Sequence, residues 1–206
     1  MKIKNYLKTG VFALSLLITV GVFAQEKVMR KDAVKKMKKE KMMKEKTVMV
    51  GGAAMYPSKN IVENAVNSED HTTLVAAVKA AELVDVLAGE GPFTVFAPTN
   101  EAFSKLPEGT VETLLKPENK EALQTVLTYH VVEGKWNTKE VLKMIKRGNG
   151  KAEIKTVSGG TITVWLKGED VYISDANGNS AMVTIANVNQ SNGVIHVIDT
   201  VLLPKS

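Results

Sequence analysis

The helical and strand-like patterns of this chain fall in separate stretches. Apolar residues recur at helical spacing over Asn60–Asn67, Thr72–Ala88 (Leu74, Val75, Val78; Leu83, Val84, Leu87), Val111–Leu115 and Lys120–Tyr129. Asn137 with Glu140 three residues on opens another helix as a reciprocal capping pair. Beyond Gly148-Asn149-Gly150 the period changes. Four β-runs follow, Ala152–Val157, Thr161–Leu166, Val171–Ser174 and Ala181–Val188, each closed by turn residues. A block of about five helices followed by a meander of antiparallel hairpins specifies an α+β fold.

Two segments carry more detail. In the first, Thr94, Val95 and Phe96 are strand formers, Pro98 stops the strand, and Thr99 is an N-cap before Asn100, Glu101 and Phe103. It is a strand-to-helix corner. In the second, Asn192-Gly193 suits a two-residue turn with both residues at positive φ. The run Val194, Ile195, Val197, Ile198, Val201, Leu202, Leu203, with His196 and Asp199 inside it, is too apolar for a surface strand and reads as a buried closing strand.

These segments, FTVFAPTNEAF and SNGVIHVIDTVLLP, resemble the two sequence boxes of the fasciclin-like domain, and Tyr129-His130 resembles the YH pair of that family. The resemblance spans about Tyr56 to Leu203. It implies a fasciclin-like fold, an antiparallel β-wedge or sandwich with several short α-helices packed at one side. It also implies that Thr94, Phe96, Pro98, Thr99, Asn100, Phe103, Tyr129, His130, Asn192, Gly193, His196 and Asp199 are family-motif positions, structural or adhesive. Animal relatives such as periostin tie integrin contact to an Asp-Ile pair shortly before the second box. Here the aligned residues are Asn187-Val188, without the acid.

At the N-terminus, Lys2, Lys4 and Lys8 precede an uncharged stretch, Gly10 to Ala24, ending Val22-Phe23-Ala24. That is a signal peptide over residues 1–24, cleaved before Gln25 and too short to span a bilayer. Residues 25–51 form a Lys/Met-rich spacer and 52–206 the fasciclin-like domain. The net charge of +5 is unevenly placed. Residues 25–47 hold ten basic and four acidic groups, whereas 48–206 hold 14 basic and 18 acidic ones. A nucleic-acid role for the domain thereby loses its electrostatic basis, and any weak attraction to anionic surfaces belongs to the spacer. Cysteine is absent, so neither disulfides nor thiolate chemistry enter.

No motif specifies catalysis, a cofactor or a metal. His71, His130 and His196 lack the spacing of a zinc site; His71 reads as a surface or capping residue, the other two as hydrogen-bonded structural histidines. Asp175-Ala176-Asn177-Gly178-Asn179 starts like a calcium loop but has Ser180 and Ala186 where Gly and Glu are required, leaving a β-turn. Trp136, in a loop, reads as an exposed contact residue. Two functions follow. The first is a secreted, non-enzymatic adhesion or interaction module for an extracellular matrix protein, carbohydrate or partner protein. The second is a periplasmic small-molecule or lipid-binding protein, marked by an apolar cavity between helices and strands.

Overall fold

The computed structural model describes residues 46–205. The expected signal peptide and the spacer up to residue 45 lie outside the described residues. The described chain opens with a hairpin, β1 (Val48–Val50) and β2 (Ala53–Met55), whose turn is Gly51-Gly52 at φ +52 and +73. Gly51 is required twice over: a Cβ there would stand 2.6 Å from the Asp70 backbone nitrogen. Val50 is buried in the core, so the folded unit begins before residue 52, and Gly51-Gly52 is a fixed turn instead of a flexible joint.

Seven short α-helices are described: α1 (Ile61–Ala65), α2 (Thr72–Ala80), α3 (Val84–Ala88), α4 (Asn100–Ser104), α5 (Thr110–Leu114), α6 (Lys120–Tyr129) and α7 (Thr138–Arg147). Their starts follow from local chemistry. Thr99 accepts from the Ala102 amide, and Asn137 and Glu140 form the expected capping box. Asn60 and Glu63 form a second capping box that caps α1. The periodic stretch Thr72–Ala88 is divided into α2 and α3 by Glu82 at φ 56, a conformation that no helix interior tolerates.

The main sheet has the order β4-β3-β9-β8-β7-β6-β5, formed by β3 (Phe93–Pro98), β4 (Val131–Glu133), β5 (Lys151–Lys155), β6 (Thr161–Lys167), β7 (Asp170–Ser174), β8 (Ser180–Gln190) and β9 (Gly193–Ile198). From β5 to β9 it is the antiparallel meander read from the sequence. One pairing makes the sheet mixed: β3 and β9, the two box strands, run parallel, with Phe96 opposite His196. Every residue of β9 is buried, as expected of a strand between two neighbours and covered on both faces.

The central strands separate two apolar clusters. Phe96, Tyr129, Ile162, Ile173, Ile198 and Leu202 pack with Val141 and Ile145 of α7. Val95, Ala97, Ile195 and Val197, the alternate residues of the same strands, pack with Val50, Met55, Ile61 and Leu87. Between β8 and β9 the expected turn takes another form. Gln190 pairs with Gly193 across Ser191-Asn192, and neither Asn192 nor Gly193 has positive φ. Glycine is needed at 193 for proximity: a Cβ would stand 2.1 Å from the carbonyl oxygen of Phe93 on the parallel strand.

Candidate functional site

Most of the family-motif residues are internal ties. Asn192 accepts from the Ile61 amide at 3.0 Å and donates to the carbonyls of Leu87 and Gly89, each at 2.9 Å. It thereby caps the start of α1 and the end of α3 from a strand turn, because helix ends leave those groups unbonded. Asn100 links α4 to the start of α2, accepting from the Thr73 amide and donating to the Glu69 carbonyl. Thr94 donates to the Gly134 carbonyl and accepts from the Trp136 amide. Asp199 accepts from the Met182 amide at 2.8 Å and stands 3.7 Å from Lys105. Pro98 is buried at the end of β3, and Phe103 is half-buried in α4. These side chains are spread over the molecule and do not converge on one centre.

Tyr129 and His130 work inward. The Tyr129 hydroxyl donates to the Thr161 carbonyl at 2.7 Å and accepts from the Ala176 amide at 3.0 Å. Gly160 makes room for its ring, since a Cβ there would stand 2.6 Å from it. His130 is 3% exposed, and its two nitrogens have opposite roles. Nε2 accepts from the Leu202 amide at 2.9 Å, so Nδ1 carries the proton and donates to the Val126 carbonyl at 2.7 Å. Burial lowers its pKa to about 4, against the smaller opposing pulls of the Val126 carbonyl and Asp175. His196 is held likewise, bonded to the Trp136 carbonyl at 2.8 Å and stacked on Phe96, with its pKa lowered by burial.

Several expectations are corrected. His71 is not on the surface: it stands at the N-cap position of α2, but it is 3% exposed and its side chain makes no capping bond. Trp136 is half-buried, donates to the Glu133 carbonyl and packs against the core, so it is no exposed contact. Asp175 begins a turn, as read, but it is also buried, and its carboxylate accepts from the amides of Asn177, Asn179 and Leu203, the last tying the C-terminal segment to the β7–β8 turn. Asn187 sits at φ 60 beside a register shift in β8 and accepts from the Thr138 amide, while Val188 is buried. Asn187 thus holds the start of α7, and Val188 belongs to the core.

An apolar cleft lies between α1, α2 and α3 on one side and the central strands on the other. Val62, Leu74 and Val78 line the helical wall; Val95, Ala97 and Ile195 line the strand wall. It reaches the surface, since Val66 and Lys79 also line it, and Val66 is 50% exposed. Its volume is about 90 Å³. Ser68, His71 and His130, all buried, also line it. No single residue in the sequence signals this cleft, because its lining is drawn from helices and strands far apart in the chain.

The fasciclin domain model matches residues 69–204, and the chain belongs to that family. Protein sll1483 of Synechocystis is 49% identical over 78% of this chain and 82% of its own length. Human periostin is 33% identical over 70% of this chain, a stretch that makes up 16% of periostin. The solved domain pair from the insect cell adhesion molecule fasciclin I superposes with a TM-score of 0.65 at 19% identity, over 72% of this chain and 52% of that one. It shows the fold.

Proposed function

We propose that this chain is a secreted, non-enzymatic binding module and that the cleft between α1–α3 and the central strands is its binding site, holding the apolar part of a small molecule or lipid. The observation that carries this reading is the cleft itself: an apolar cavity, lined from both layers, that opens beside an exposed valine. His130 and His196 support the absence of catalysis, because both are buried and spend ring nitrogens on backbone partners. Among the described residues no helix is long and apolar enough to cross a membrane.

A second reading is adhesion to a matrix protein or carbohydrate. It is favoured by kinship with periostin and by the cell adhesion molecule whose fold the chain shares. The Asn187-Val188 pair argues against an integrin contact at that position. The basic residues of the spacer would add a salt-sensitive attraction to anionic surfaces.

One experiment separates the two readings. The mature chain, residues 25–206, is titrated with an apolar dye whose fluorescence rises in dry surroundings, and in parallel with immobilised surface polysaccharide and matrix protein at physiological salt. The cleft reading expects dye binding that weakens at least tenfold in Val66→Trp, whose indole covers the opening, with an unchanged melt. Salt-resistant capture of surface material by both forms, with no dye bound, would replace it with the adhesive reading.

A further inference from the structure

His71 is the one polar side chain in the cleft that the fold leaves unfinished. It lies at the junction of α2 and the 3-10 turn Glu69–His71, and both it and Ser68 are buried and line the cleft. Ser68 Oγ and His71 Nδ1 are 2.8 Å apart, the one hydrogen bond that the Ser68 side chain makes among the described residues. Counting donors assigns the proton. If the hydroxyl donates to Nδ1, only the Nε2–H remains unpaired; if Nδ1 donates to the hydroxyl, both the serine proton and the Nε2 lone pair are stranded. The first arrangement leaves fewer buried groups unmet.

Nε2 of His71 is therefore a donor, and it is the only buried side-chain nitrogen or oxygen among the described residues with no hydrogen-bond partner. The Ala97 backbone lies close enough to His71 to favour its protonation in the manner of a hydrogen bond, but too poorly placed to satisfy Nε2 with a bond of ordinary distance and angle. A water molecule would be poorly held there, because an ordered buried water needs two to four polar partners, the lining is mostly aliphatic, and the other buried polar side chains in it, Ser68 and His130, are already bonded elsewhere. An oxygen carried on an apolar body meets both conditions: it accepts from Nε2, and its tail fills the cleft. The volume adds a shape. About 90 Å³ is less than the roughly 150 Å³ cavity that accommodates benzene, so the cleft encloses only the head and first carbons of a chain, and the rest passes out beside the exposed Val66, which an unbranched chain can do and a bulky ring system cannot.

We infer that the cleft takes an acyl chain, its aliphatic tail between α2 and β3 and its carbonyl or carboxylate oxygen accepting a hydrogen bond from His71 Nε2. This rests on the reading of the cleft as the binding site. His71 then selects among apolar molecules of equal length by the acceptor they carry, since a buried donor left unpaired disfavours a plain hydrocarbon.

The test displaces the apolar dye from the mature chain with octanoate, 2-octanone and n-octane, and follows the ¹⁵N resonance of His71 Nε2. Octanoate and 2-octanone are expected to displace the dye at free concentrations at least tenfold below n-octane and to shift that resonance. In His71→Phe the three should become equivalent. His71→Gln, which keeps a donor, should retain part of the preference and serves if the phenylalanine variant melts early. Equal displacement by all three in the native chain, a preference that persists in His71→Phe, or a preference for octanoate alone would each overturn the role of His71. The last would leave charge as the discriminator. If the dye itself does not bind, the cleft reading fails and the inference falls with it.

Discussion

Stability in mild acid should depend on His130 more than on any one surface carboxylate. The folded domain holds this imidazole neutral, with a pKa of about 4 against 6.5 in the unfolded chain, because it is buried and its Nε2 must stay unprotonated to accept from Leu202. Between those two values the unfolded state takes up a proton that the folded state refuses. The contribution of His130 is therefore constant above pH 6.5, falls as the pH drops from 6.5 to about 4, and levels off below, where both states are protonated. Two and a half units at about 1.4 kcal/mol each amount to about 3 kcal/mol lost by pH 4. His130→Gln offers an amide oxygen to Leu202 and an amide N–H to Val126 without titrating. Urea unfolding of both proteins from pH 7 to pH 4 isolates the residue, since the other histidines and the carboxylates are common to the pair. The native chain should lose about 3 kcal/mol more than the variant over that range. Equal losses would refute the reasoning, and a ring that titrates near 6.5 by NMR would show why.

Asn192→Ala removes three tertiary hydrogen bonds at about 1 kcal/mol each, so the melting temperature should fall by roughly 6–12 °C in calorimetry, and a fall under 2 °C would show those bonds to be dispensable. Gly193→Ala places a methyl 2.1 Å from the Phe93 carbonyl and must push β3 from β9, a loss at or above the upper end of about 1–3 kcal/mol, read from denaturant midpoints. The exported protein should begin at Gln25; an intact mass that includes residues 1–24 would refute the signal-peptide reading.

What the sequence alone determined are features written in neighbouring residues. The β5–β9 meander, the Thr99 cap, the Asn137–Glu140 capping box and the burial of β9 all depend on spacings of two to four residues, and all are present in the fold, whereas the three-residue strands β1, β2 and β4 are too short for a period to be read. The inward role of His130 and His196 was legible because each lies in an apolar element. Tertiary structure decided what distant segments do to one another. Asn192 reads locally as a turn residue, yet its partners Ile61 and Leu87 lie 131 and 105 positions away. His71 sits in a polar stretch, SEDHTT, and is buried because the turn carrying it is folded under the β1–β2 hairpin, where the Gly51 carbonyl accepts from the Glu69 amide. The parallel pairing of β3 with β9 and the cleft beside it have no local signature. Both come from packing two faces of the central strands at once, which only a closed chain can arrange.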